Sequence, residues 1–448
     1  MRRAVILSLL TLAACLFFGR SVASSSKPAI QIAYTSAAHY DDRAWLNGGE
    51  RFPQGAEIYL WDGVQARKLV PEFTASADPE ISFDGTRILF AGKKSARDHW
   101  QIWEISTDGT GLRQVIYLKE EDVVRPLYLP DGLIVYARRQ ETKFVLEVRP
   151  IDGGNQLILF HAPGSALPTD VLRDGRILFA SGYPFGGKTP EIYTVYSDGS
   201  GVESYRCDHG SARSAGRQAP SGDIIFAKAR GLGRFTSPLA HEVAVDVPKG
   251  EYAGELAATG DEWILSRREE TRKFFQLETW STASRTLTPL LSSQTNLLQP
   301  RVIAPRPVPN RHPSALHDWK YTNLLALNAY TSKYPLPKDS IAAVRLYTMS
   351  STGEPITLGI APVEKDGSFY IKAPGDQPLK FELLDRQGRS LKKQDGWMWA
   401  RGGEQRICVG CHAGPEHAPE NAVPAVLLRS TTPTDLTGSA AESRTGGH

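Results

Sequence analysis

Cysteine and methionine are scarce in this chain of 448 residues, with four of the one and three of the other. Cys15 falls in an N-terminal apolar run, Cys408 and Cys411 stand three positions apart, and Cys207 is left over. A disulfide framework is therefore excluded as the main source of stability. An excess of charge of one sign is lacking too: 52 Lys and Arg face 49 Asp and Glu, a formal +3. Removing residues 1–23 takes away Arg2, Arg3 and Arg20 and no acid, which brings the balance to zero. Such a balance excludes the basic footprint of a nucleic-acid or anionic-membrane binder, so no nucleic-acid partner is expected. After residue 18 no stretch approaches the roughly 20 apolar residues of a membrane helix, and the mature chain is expected to have no transmembrane helix.

The apolar run that does exist has the marks of an export signal. Arg2 and Arg3 form a basic start, Ala4 to Phe18 is almost wholly apolar, and Ser21-Val22-Ala23 offers small residues at a cleavage site. Residues 1–23 read as a signal peptide and the product as periplasmic or otherwise exported. Leu12-Ala13-Ala14-Cys15 also has the form of a lipoprotein box, which would leave a lipid anchor on Cys15. That alternative ranks second, because the apolar run continues past the cysteine through Leu16, Phe17 and Phe18.

Cys408-Val409-Gly410-Cys411-His412 has the spacing that attaches one covalent haem c. The two thiols can each form a thioether to a porphyrin vinyl group, and the adjacent imidazole of His412 reaches the iron. The competing reading is half of a zinc site, which needs two further ligands. His417 is the nearest candidate for a second metal-binding imidazole. Upstream, Trp397 and Trp399 are candidates to pack on a porphyrin, since haem needs an apolar, dry pocket, or are ordinary core tryptophans. Met398 between them points away from both if the segment is a strand. Arg401 and Arg406 are candidates to neutralise haem propionates, or are solvated surface arginines. Cys207-Asp208-His209 is the remaining metal-like cluster and stays outside the candidate site.

Between residues 30 and 282 a unit recurs six times: an apolar strand, a turn, and a second β-rich strand. The nearest copies are RILFAG and RILFAS, preceded by FDGT and RDGR, with LPDGLIVYAR between them. Asp84-Gly85, Asp131-Gly132 and Asp174-Gly175 supply tight turns, and STDGTG and YSDGSG form a second turn family. In the fifth unit the strands are read as 223–229 and 242–247. Short strands at a spacing of roughly 40 to 50 residues imply a ring, because a lone blade leaves its apolar faces exposed. Residues 28–299 are thus expected to form a six-bladed β-propeller, and the turn and strand strings resemble the TolB-type propellers. The first unit carries a long insertion with His39, Asp41, Asp42, Trp45, Glu50 and Arg51, read either as a lid or docking loop or as a solvated tip. Residues 300–315, with prolines at 300, 305, 307, 309 and 313, read as an interdomain linker unable to form an inner strand. Residues 316–429 alternate strand-like stretches with glycine turns and read as a small β-rich, sandwich-like domain carrying the haem motif. The fold class is therefore all-β. The Ser, Thr and Gly content of 430–448 reads as a disordered tail.

Three strings in the second domain, VRLY, LGIAPVEKDGSFYIKAPGDQPLKFELLDRQGR and GWMWARGGEQRICVGCH, resemble the hydrazine synthase alpha-subunit type. The resemblance runs over roughly residues 28 to 428. It implies a six-bladed propeller followed by a β-rich domain with a c-type haem, in an enzyme that joins nitrogen species. In that family a second haem domain follows the first, and a tyrosine soon after the motif ligates the iron and frees the motif histidine for zinc. Here one CxxCH is present and no tyrosine follows Tyr370, so His412 returns as the expected iron ligand, with a zinc-bound His412 as the variant. Three functions stand open: a monohaem cytochrome passing electrons to a partner on the propeller rim, a haem enzyme acting on small nitrogen or oxygen species, and a non-redox propeller binding module.

Overall fold

The computed structural model describes residues 30–182, 189–206, 212–332, 334–410 and 421–438. Six sheets of four to five strands make the propeller and two four-stranded sheets make the second domain. Blades two to five each run in chain order from an inner to an outer strand. Blade two shows the pattern: Ala75–Ile81, Arg87–Lys93, Gln101–Ser106 and Arg113–Ile116 pair antiparallel in turn. The RILF strings are second strands, buried on both faces because each blade is packed between its neighbours.

The ring closes by pairing its two ends. Asn296–Val302 is the inner strand of blade one and runs antiparallel to Ile32–Ala37, with Ile32 opposite Val302 and Ala37 opposite Asn296. The expected linker therefore begins inside the propeller, a correction with a physical reason. An innermost strand is the edge of its sheet, where a missing N–H costs little, and Pro300 lies where the register shifts at a bulge. Pro79 and Pro126 occupy the same place in blades two and three, next to register shifts at Ala77/Glu80 and Val124/Leu127. The residue before each proline, Asp78, Arg125 or Gln299, has a positive φ of 59°, 57° or 55°. The bulge turns these polar side chains into the central channel.

There they form a buried charge network. Arg51 donates to Asp78 at 2.6 Å, Gln299 Nε2 donates to the other Asp78 oxygen at 2.5 Å, and Arg125 pairs with Glu255. Burial pushes the Asp78 carboxyl up, but Arg51 and Arg125 outweigh it and hold the group below its ordinary range. Arg51 belongs to the blade-one insertion, whose Trp45, Leu46 and Phe52 are also buried. The insertion packs on the propeller core through these residues, and the solvated-tip reading is set aside.

In the fifth unit the partner of Ile224–Ala227 is Leu232–Phe235, reached by a short turn with Gly231 at φ 88°. The expected partner at 242–247 contains only the outer strand Val243–Ala244. The second domain is a sandwich: one sheet in the order Gln405–Cys408, Tyr321–Ala326, Phe369–Pro374, Thr434–Asp435, the other Pro355–Pro362, Ala343–Met349, Leu379–Leu384, Ser390–Lys393. The first part of the tail, 430–438, corrects another expectation, while 439–448 lie outside the described residues. Thr434–Asp435 joins the first sheet parallel to Ile371 and Lys372, and Leu436 is buried in the sandwich core. A short helix, Ala425–Arg429, precedes it, with backbone N–H groups donating to Asp366 and Ser368.

Residues 303–314 form a strap across the propeller's hairpin tips. Arg306 N donates to Phe83 O at 2.8 Å and Asn310 N to Arg173 O at 2.9 Å, while Arg311 pairs with Asp131 at 3.0 Å. Among the described residues no helix is long and apolar enough to cross a membrane.

Candidate functional site

The CxxCH motif starts on a strand end. Gln405–Cys408 pairs parallel with Tyr321–Ala326, placing Cys408 opposite Ala326, and Leu327 N donates to Cys408 O at 2.9 Å. Immediately downstream Gly410 runs against the loop after that strand, where a Cβ would lie 2.2 Å from Thr331 O. Glycine is required there by close approach. Cys411, His412 and His417 lie outside the described residues, as do Cys15 and Cys207.

Strand alternation sorts what is described. Arg406 and Cys408 share one face, while Gln405 and Ile407 share the other, Ile407 at 64 % exposure. Arg406 aims at the propeller and donates to the carbonyl of Val202 in blade four and, at 3.5 Å, to that of Trp399. The Cys408 thiol is half-buried; burial pushes its pKa up, with Glu404 acting the same way and Arg406 against it. A partly exposed thiol at a strand end can be reached by a porphyrin vinyl group, so the described half of the motif fits covalent attachment of a porphyrin.

The tryptophans are shared between the domains. Trp399 packs edge-on against Phe160 of blade three, ring centres 5.1 Å apart at 74°, and Trp397 joins the same propeller cluster. Lys380 stands 4.6 Å over the Trp397 ring. Met398 points the opposite way into the sandwich core and bridges to Leu379, as alternation requires. The buried Trp399 Nε1 has no hydrogen-bond acceptor among the described residues. Arg401, the other propionate candidate, pairs with Asp376 at 2.5 Å, and its backbone N–H donates to Glu404 at 2.9 Å. Glu404 in turn accepts from Gly201 N at 3.2 Å, across the seam.

Sequence reasoning missed two members of this seam. His161 lies 3.6 Å from Asp376, and its pKa is lowered by burial first, with Asp376 opposing and Arg401 and Lys143 adding to the lowering. His312, from the strap, stacks on Tyr196 with ring centres 3.5 Å apart. Neither carried a signal, because both act only where distant segments meet. Among the described residues no group of three His, Cys, Asp or Glu is arranged to hold a metal.

A family described as the hydrazine synthase alpha subunit middle domain matches residues 344–413, a span that ends one residue past His412. The alpha subunit of hydrazine synthase from Kuenenia stuttgartiensis is 36 % identical over 84 residues, 18 % of this chain and 10 % of that relative. The solved hydrazine synthase of Kuenenia stuttgartiensis superposes with a TM-score of 0.77 at 17 % identity, over 90 % of this chain and 71 % of that one. TolB from Acinetobacter baumannii is 14 % identical over 62 % of this chain and 68 % of its own, at a TM-score of 0.48. The sequence match thus spans about a tenth of the curated relative's length, while the structural likeness takes in both domains.

Proposed function

We propose that this hydrazine-synthase-alpha-like chain, a six-bladed propeller joined to that subunit's middle-domain fold, is an exported haem c subunit acting on small nitrogen or oxygen species within a larger assembly. The observation that carries the reading is the position of CVGCH, which completes the matched span at 344–413. Cys408 and Cys411 would hold the haem through two thioethers and His412 would ligate its iron. Bound haem c supplies one-electron redox chemistry and an iron at which a small ligand can be held.

The chain's own residues do the positioning. The parallel pairing with Tyr321–Ala326 fixes the strand that carries Cys408, and Arg406, spanning from that strand to Val202 O, ties it to blade four. Trp397 and Trp399 keep water out of the seam behind it, a role that holds with or without direct haem contact. A second reading is a monohaem electron carrier with the CxxCH at 408–412 as its haem site and a redox partner on the propeller rim. Zinc on His412, with His417 as a further ligand, is the non-haem variant.

Optical spectra of protein exported from a host with haem-attachment machinery separate these readings. The enzyme reading expects a covalent haem whose ferrous form binds carbon monoxide. A low-spin spectrum unmoved by the gas would transfer the assignment to the electron carrier, and zinc without porphyrin would sink both. The Cys408→Ser, Cys411→Ser double variant is expected to lose covalent haem entirely. Mass analysis of the exported product tests localisation: a start at Ser24 supports cleavage after residue 23, a lipid on Cys15 the anchored form.

A further inference from the structure

We infer that the strap-covered mouth of the propeller channel is a binding site for a small dianion bearing a carboxylate or phosphate group, held by Arg217. A cleft of about 790 Å³ lies there, lined by the ends of inner strands from five blades and roofed by residues 304–310. Arg217 lines it at 8 % exposure, and its Nε and Nη2 atoms are buried without a hydrogen-bond partner. These two nitrogens form the side edge of the guanidinium, whose parallel N–H groups match the two oxygens of a carboxylate or phosphate. A buried cation with that edge unmet is costly, and native interiors meet such groups with a partner.

The neighbouring acids are already committed. Glu80 Oε2 lies 3.6 Å from Arg217 Nη2 but accepts from Arg301 Nε at 3.0 Å, and its other oxygen takes Arg306. Asp170, 3.8 Å from Arg217 Nη1, accepts from the backbone N–H of Gln218 at 2.7 Å and of Val171 at 2.9 Å. Arg173 donates to Pro220 O. Arg301 also meets Glu255 at 3.2 Å, which pairs in turn with Arg125, so around the cleft the guanidinium groups of Arg125, Arg173, Arg217, Arg301 and Arg306 face the three carboxylates of Glu80, Asp170 and Glu255, a surplus of two positive charges. That surplus selects a dianion over a monoanion. Deeper in the ring Arg51 of the blade-one insertion pairs with Asp78 at 2.6 Å.

Titration calorimetry on the full mature protein, at constant ionic strength made up with chloride, tests the site with two probes, inorganic phosphate and succinate. Saturable one-to-one binding of either is expected; preference for one names the oxyanion, and both preferences support the site. Arg217→Gln is expected to weaken binding at least about tenfold. Ala258→Trp narrows the cleft and leaves every charge in place, so it reads occupancy even where the arginine variant folds poorly. No saturable heat from either probe, or unchanged affinity in Ala258→Trp, would overturn the inference. The site is independent of the haem reading, and the Cys408→Ser, Cys411→Ser protein is expected to bind both probes as the parent does.

Discussion

Three glycines in one turn family do two different jobs. Gly85, Gly132 and Gly175 all follow an aspartate and have φ of 76°, 70° and 88°. A Cβ on Gly132 would meet nothing within 4 Å, whereas on Gly85 it would lie 2.7 Å from Ala304 C and on Gly175 2.2 Å from Asn310 O. Gly132→Ala is expected to cost only the left-handed backbone penalty, about 1–2 kcal/mol. Gly175→Ala must also push the strap away, adding roughly 1–3 kcal/mol. Chemical denaturation of the two variants checks this, and equal losses would mean that the strap does not rest on blade four. The turns were legible as turns in the sequence. That two of them are docking points was not, because the strap that touches them lies more than a hundred residues downstream.

At the scale of elements, the second and third strands of the blades announced themselves by apolar, β-branched strings. The inner strands did not, since their bulges interrupt the alternation with Asp78-Pro79-Glu80, Arg125-Pro126-Leu127 and Gln299-Pro300-Arg301. That recurring polar-proline pair was the available signal, and it marks the channel-facing bulge. Leu298 in the closing strand is fully buried, so Leu298→Ala is expected to destabilise the propeller by about 2–5 kcal/mol. The tail makes a parallel case. Leu436 is 5 % exposed, and a Cβ on Gly359 would come within 2.8 Å of its Cδ2, so Leu436→Ala is expected to cost the sandwich roughly 2–4 kcal/mol. Unchanged stability in denaturant would put residues 434–438 outside the core. Composition alone read this segment as disordered because Thr, Ser and Gly outnumber the one leucine that anchors it.

At the scale of the whole molecule, the two domains meet in a seam of buried polar groups around Trp399, with His161 at its edge. The folded-state pKa of His161 lies below its ordinary value, chiefly from burial, so the unfolded chain binds the proton more readily. Its contribution is complete above the ordinary histidine pKa and is lost as pH falls through the depressed folded value. Acidification from pH 7 is expected to lower the melting temperature, and His161→Gln to flatten that dependence; an unchanged slope would remove His161 as its source. The sequence by itself determined the all-β class, the six-fold repeat, the position of the CxxCH motif and the likeness to the hydrazine synthase alpha subunit, because each is written in local spacing or in contiguous strings. Only the tertiary structure decided that the ring closes through residues 296–302, that the supposed linker is a strap, that Arg406 and Trp399 serve the seam, and that Arg217, lining the channel mouth, leaves two buried nitrogens unpaired. Those facts arise where segments far apart in the chain share a boundary, and pairing, burial and unmet hydrogen bonds exist only once both sides are present.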